Sequence, residues 1–294
     1  MNYNDRLNFY LGNNLLNKNF DLQKHDFIYT VGDTDIKNIR DNTTIKNQKV
    51  FCELFKRTNN THKYFLIHDN PDNCNNLPCV YLCKNRIIND NQPVLLRSFN
   101  FNRHWETYYN SKIINDIPFD DKMNKIVWRG TTTGQHENRG NRFQLVTKWM
   151  NKHPDIDVGF SFICQNKGIY GPFVKGKKEV DDMLKYKYIL SVQGNDKDTG
   201  INWKLNSNSL VFMAKPTVTS WLMETTLIPN YHYILVKDDF SDLKDKLDWC
   251  NNNQIKCKEI VKNANTFMKQ FSDNELEEKL ENDVLNKYFE LINK

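Results

Sequence analysis

Between residues 125 and 213 the sequence alternates short apolar runs with amphipathic stretches, and that alternation restricts the fold more than any other feature. The run over 125–128 ends at Trp128 and leads into a Gly- and Thr-rich loop over 129–141, then a helical pattern from about Arg142 to Lys152. A run over 157–161 follows, then a polar insertion, a helical stretch over 179–185 and a run over 188–192. A loop and helix over 195–207 and a last run over 209–213 complete the series. Strands separated by helices run parallel, because each helix carries the chain back to the edge where the next strand starts. The expected class is therefore α/β, with a helix-covered sheet that takes its ligand at the carboxyl ends of the strands.

This series fills only part of the chain. With 294 residues, of which 39% are hydrophobic and 13% aromatic, there is material for two cores, whereas one domain usually holds roughly 100–200 residues. Apolar runs over 63–68, 79–83 and 93–97, bounded by Asn, Asp and Pro, predict short strands of a first lobe. The polar, turn-rich interval 115–122 sets a boundary near residue 122, and the helical periodicity over 241–292 predicts closing helices. The expected division is 1–122, 123–270 and 271–294, the last a helix packing back on the first lobe.

Several function classes are disfavoured at once. A net charge of +5, with Lys and Arg intermixed with Asp and Glu, lacks the basic stripe of a nucleic-acid binder, so no nucleic acid is expected. The first residues do not show a basic segment followed by about 7–15 apolar residues, and no window approaches the roughly 18 of a membrane span. A cytoplasmic chain without a membrane span is the expectation. Abundant scattered Asn and Lys read as the codon bias of an AT-rich genome, as in a large virus or a bacterium. The 7 cysteines have no CxxC spacing, and reduced thiols are expected. Cys74, Cys79 and Cys83 are irregularly spaced with no evident fourth ligand, so no metal site is expected. Asp-x-Asp occurs at 33/35, 155/157 and 196/198, and in a chain with this much Asp such pairs also arise by chance, so they do not argue for a metal site.

Three segments lie where strand ends face a ligand. The first, WRGTTTG over 128–134, offers Arg129, Gly130, Thr131, Thr132 and Gly134, with Arg139 and Arg142 beyond: a flexible loop, hydroxyls and guanidinium groups ahead of a helix N-terminus, suited to a diphosphate. It is not a Walker loop. The second, over 185–209, ends its apolar run in Gly194, Asn195 and Asp196 and continues through Trp203, Lys204, Ser207 and Ser209; Trp203 offers a ring to pack a base or to fill a core. The third, over 220–243, carries Glu224 and His232.

In that order and spacing, over about 125–250, the three segments resemble glycosyltransferase family 90, the capsule-associated and protein O-glucosyltransferase-like group. The resemblance implies a GT-B-like fold, two Rossmann-like lobes with the active site in the cleft between them, 1–122 being the acceptor-side lobe and 123–270 the nucleotide-sugar lobe. It implies an inverting transfer of xylose or glucose from a UDP-sugar, held as co-substrate without cofactor or essential metal, to a hydroxyl of a glycan or glycoprotein. Arg129, Gly130, Thr131, Gly134 and Arg142 match the first motif, with Arg142 expected on the diphosphate. Gly194, Asn195, Asp196, Trp203, Ser207 and Ser209 match the second, with both serines near the nucleotide and Glu224 accepting from ribose hydroxyls. Family members carry a basic residue where this chain has Gly200 and Asn202, so Lys204 or a first-loop Arg must supply that charge. The catalytic base is expected at Asp69, which follows an apolar run, precedes Asn-Pro and is similar to the Asp-x-Pro stretch of the O-glucosyltransferases; Asp72 and His68 are its neighbours. Two other readings stay open: a sugar- or nucleotide-binding module without turnover, and a glycoside hydrolase, although no local carboxylate pair stands out.

Overall fold

The computed structural model describes residues 1–12, 29–31, 36–38, 64–65, 82–87, 94–99, 101–109, 116–134, 141–165 and 170–292. They divide into two compact units, Met1–Phe101 with Thr217–Glu224 and Asp273–Lys294, and Asn102–Pro216 with Thr225–Ser272. The change of unit at 101/102 comes earlier than the polar interval at 115–122, for identifiable reasons. Tyr108 and Tyr109 donate their hydroxyls to the Met268 and Phe271 carbonyls at 2.8 Å each. The interval itself is tied down, since Asp116 pairs with buried Lys122 at 2.5 Å and accepts from the Asn208 N–H at 2.6 Å.

The first unit gathers 217–224 as well, a stretch the sequence pattern assigns to the second lobe. Its strand Val218–Ser220 pairs antiparallel with Asn85–Ile87. Next to it, Trp221 stacks on Tyr10 with ring centroids 3.7 Å apart and donates its indole N–H to Glu277 at 2.6 Å. Glu277 is fully buried and forks onto Arg6 at 2.6 and 2.8 Å. Removing one partner of such a buried pair typically costs about 3–5 kcal/mol, enough to fix 217–224 and the C-terminal helix Asn274–Ile292 in this unit. The other described strands here are short: Tyr29–Val31 between Ile36–Asn38 and Tyr64–Phe65, both antiparallel, and the parallel pair Leu82–Cys83 with Val94–Leu95.

The second unit holds the parallel sheet that the alternation predicts. Five strands lie in the order Ile234–Leu235, Leu210–Met213, Tyr186–Leu190, Met123–Gly130, Ile156–Phe160, every pairing parallel. Tyr186–Leu190 and Leu210–Met213 are buried along their whole length, as strands covered on both faces must be. Alternate residues feed the two faces: Ile126 and Trp128 join Phe143, Val146, Phe160, Leu247 and Ile260 on one side, and Val127 joins Leu184, Tyr186, Ile189 and Trp203 on the other. The helix Arg142–Trp149 starts where the Asn141 side chain accepts from the Gln144 N–H at 2.9 Å, a cap worth about 1 kcal/mol. In Gln254–Met268 the buried residues Cys257, Ile260, Val261, Ala264 and Met268 recur at helical spacing and form one apolar stripe. The stretch 179–185, expected as a helix, keeps only the single turn Val180–Met183.

Candidate functional site

Counted along the chain, the five strands stand in the order 2-1-3-4-5. That order reverses between Met123–Gly130 and Tyr186–Leu190. At such a switch point the connections leave to opposite sides and open a crevice at the carboxyl ends of the two strands, where doubly wound folds bind their ligands. The loops that emerge there are 131–134 and 191–200, the Gly/Thr loop and the Gly194-Asn195-Asp196 loop of the first two motifs.

The two loops are clasped to one another. Gly134 N–H donates to Asn195 Oδ1 at 2.8 Å. Arg142, buried beneath both, donates to Thr133 Oγ1 at 2.8 Å and the Thr131 carbonyl at 3.2 Å on one loop, and to the Gln193 and Val192 carbonyls at 3.2 and 3.3 Å on the other. Glycine is required where they meet: a Cβ on Gly134, which has φ +79°, would stand 2.5 Å from the Gly194 carbonyl oxygen, and one on Gly194 would stand 2.8 Å from Thr133 Oγ1. Burial pulls the Arg142 guanidinium below its ordinary value, against the opposing pull of Asp198 and Asp196.

A second buried charge pair underlies the 191–200 loop. Lys204 donates to Asp198 Oδ2 at 2.5 Å and to the Leu190 carbonyl at 3.1 Å. Ser191 Oγ and the Gly200 N–H complete the Asp198 carboxylate at 2.8 and 3.0 Å. Burial resists ionisation of Asp198, yet Lys204, the Gly200 N–H and Arg142 outweigh it and hold the carboxyl below its usual range. Asp198 and Ser191 join this buried network without being candidate site residues by motif; the sequence signals for Asp198 were its place in the 196/198 pair and two residues before Gly200 at the start of a helix.

The geometry sorts the other expected residues. Thr131, Gly134, Arg142, Gly194 and Asn195 meet in the clasp, with Asp196 adjoining. Thr132 is fully buried, and its Oγ1 accepts from the Cys164 and Gln165 N–H groups at 2.9 and 3.1 Å, so it pins the neighbouring loop rather than facing a ligand. Arg129 turns along the sheet to Asp157, at 2.8 Å from its carboxylate; burial opposes ionisation there, but Arg129 and Lys175 hold the Asp157 carboxyl below its ordinary value. On Gly130 a Cβ would meet the Trp128 ring at 2.5 Å. Trp203 belongs to the core, not to a base, and its indole nitrogen would lie 2.7 Å from a Cβ at Gly200. A side chain at Gly200 would meet that ring, and Lys204 lies beneath the loop with its ammonium paired to Asp198.

Ser207 and Ser209 are corrected outright. The helix Ile201–Asn206 runs back from the carboxyl ends, so both serines sit at the amino ends of the strands, where Ser207 Oγ donates to the Lys204 carbonyl and Ser209 Oγ to the Tyr186 carbonyl. Four residues of strand, about 13 Å at the usual rise, separate them from the clasp. Glu224 lies in the other unit, where Ser220 N–H and Oγ donate to its two oxygens at 2.6 and 2.7 Å. Within its own unit it caps a turn. His232 is buried, and its Nδ1 accepts from the Ile228 N–H at 2.9 Å. Asp69, Asp72, His68 and Arg139 lie outside the described residues. Among the described residues no group of three or more His, Cys, Asp or Glu could hold a metal ion, and no helix is long and apolar enough to cross a membrane.

A parallel sheet whose switch-point loops are joined by a buried guanidinium defines an α/β unit of the doubly wound kind. The model of glycosyl transferase family 90 matches residues 102–294, so the chain belongs to that family, in accord with its three signature segments. It is 32% identical over 206 residues to the O-glucosyltransferase LpsA of Dichelobacter nodosus, covering 70% of this chain and 60% of that protein. Over 146 residues it is 29% identical to Protein O-glucosyltransferase 2 of Danio rerio, covering 49% of this chain and 28% of that one. Over 173 residues it is 27% identical to the uncharacterized protein 035R of Invertebrate iridescent virus 3, covering 53% and 16%. The chain thus spans less than two thirds of the length of these relatives.

Proposed function

We propose that this chain is a glycosyltransferase that moves a sugar from a UDP-sugar to a hydroxyl of a glycan or glycoprotein, with inversion at the anomeric carbon. The observation that supports it best is the clasp: Arg142 joins both switch-point loops in a chain of glycosyl transferase family 90 whose relatives include proteins named as O-glucosyltransferases. In this reading the diphosphate lies on the loops 131–134 and 193–196. The acceptor oxygen attacks opposite the leaving UDP, its proton passes to a base, for which Asp69 is the candidate, and the glycosidic bond to phosphate breaks. Negative charge grows on the diphosphate as it leaves. Arg142, fixed beneath both loops by its bonds to their carbonyls and to Thr133 Oγ1, would bring its positive charge to bear on that growing charge, and a charge held in place in advance lowers a barrier. No metal is needed for this, and excess chelator should leave the rate nearly unchanged. Glucose is supported as the donor sugar by two relatives named as O-glucosyltransferases, and xylose is the alternative.

A second reading, a nucleotide-sugar binder with little turnover, is supported by one feature: the Lys204 ammonium is already paired with Asp198, leaving Arg142 as the principal cation under the loops. A thermal-shift screen across UDP-, GDP- and CDP-sugars, followed by donor consumption with and without acceptor glycans, separates the two. A transferase is stabilised by UDP-sugars and consumes one of them. Stabilisation without consumption favours the binder, and no response to any uridine nucleotide sinks both.

A further inference from the structure

The clasp accounts for the phosphate end of a nucleotide but not for its base. In doubly wound folds the nucleoside extends from the first strand's loop towards the carboxyl end of the second strand, the neighbour on the far side from the switch point. Here the second strand is Ile156–Phe160, paired with Met123–Gly130 so that Gly130 stands opposite Phe160. Strands so paired lie about 4.8 Å apart, which brings the segment 161–165 directly beside the Gly/Thr loop.

That segment is held rigidly. Ser161 N–H donates to the Gly130 carbonyl at 2.7 Å. Thr132 Oγ1, within the Gly/Thr loop itself, accepts from the Cys164 and Gln165 N–H groups and donates to the Gln165 carbonyl. Between these anchors stands Phe162, 54% exposed. An unanchored surface Phe would be unremarkable. An aromatic ring kept in water by hydrogen bonds on both sides, at the strand end where a nucleoside lies, presents a flat apolar face of the kind on which bases stack. The segment Ser161–Gln165 has no Asp or Glu, so stacking rather than a carboxylate grip on ribose is what it offers.

We infer that Phe162 is the platform for the nucleobase of the donor, with Thr132 as the positioning residue that ties the base end of the site to its phosphate end. The inference rests on the nucleotide-sugar reading above. Titration calorimetry with UDP and with inorganic pyrophosphate tests it on the whole chain and on Phe162→Ala and Phe162→Trp; substitution at so exposed a ring leaves the core intact. Phe162→Ala should weaken UDP at least about fivefold, the lower end of what base stacking contributes, and leave pyrophosphate unchanged, while Phe162→Trp retains UDP. Unaltered UDP binding by Phe162→Ala overturns the inference, as does equal weakening of UDP and pyrophosphate, which would make Phe162 a prop for the loop. If the native chain binds neither probe, the nucleotide-sugar reading itself fails.

Discussion

Replacing Gly194 by Ala tests the clasp most directly. The added Cβ would stand 2.8 Å from Thr133 Oγ1, 3.0 Å from Arg142 Nη2 and 3.1 Å from Arg142 Cζ, where ordinary contacts need about 3.5–4.0 Å. Neither neighbour yields freely: Thr133 Oγ1 holds the 2.8 Å bond from Arg142, and Arg142 is fixed by the carbonyls of Thr131, Val192 and Gln193. Overpacking of this kind costs about 1–3 kcal/mol. At about 2–4 °C per kcal/mol for a unit of this size, the melting temperature should fall by about 2–12 °C, with UDP affinity falling as the loops part. Thr133→Ala removes the atom that the new methyl meets, so the double variant should be more stable than the sum of the single effects by about 0.5–3 kcal/mol. Gly171→Ala, with nothing within 4 Å of its Cβ, is the control. Thermal unfolding of the four variants and UDP titration provide the readout. A Gly194→Ala protein melting with the native chain, or strict additivity with Thr133→Ala, would refute the account of the clasp.

Arg142→Ala should lower turnover at least about tenfold and weaken UDP, because charge-assisted bonds are among the stronger ones; Arg142→Lys should rescue little, since one ammonium cannot span acceptors on two loops. Unchanged UDP affinity in both variants would reduce Arg142 to a structural brace. Asp69→Asn should lose at least about a hundredfold in transfer while UDP affinity stays within about twofold, and a folded variant with near-native transfer would move the base elsewhere. Burial lowers the His232 imidazole from its ordinary value, so the unfolded chain takes up a proton first; stability is complete above about pH 6.5 and declines as pH falls below it. Denaturant titrations at pH 7.5 and 5.5 should show that decline shrinking in His232→Asn, which keeps an acceptor for the Ile228 N–H; an unaltered difference would assign it to other groups.

How far the sequence reached depended on whether a signal was local. Alternation of apolar runs and helical stretches established the parallel sheet, because the periods of strand and helix are properties of neighbouring residues. Strand ends were legible within about two residues: the runs over 157–161 and 188–192 became Ile156–Phe160 and Tyr186–Leu190. The motif WRGTTTG and the Gly194-Asn195-Asp196 turn were legible as loops at strand ends, and the order of three segments marked the family.

Long-range pairing decided the rest. Strand order put the two loops side by side, and no local pattern encodes which strand lies next to which. Ser207 and Ser209 read as site residues because they match the second motif, yet the helix Ile201–Asn206 within that motif returns them to the amino ends of the sheet. Trp221 and Glu224 read as part of the second lobe until the buried Arg6–Glu277 pair, joining residues 271 positions apart, drew them into the first unit. Arg142 could be named from sequence; that its guanidinium would be shared between a carbonyl 50 residues away and the Thr133 hydroxyl of the preceding loop could not. Sequence determined the elements and their chemistry, and the tertiary structure determined which end of the sheet each side chain reached, because burial and hydrogen-bond satisfaction are settled among groups remote in the chain.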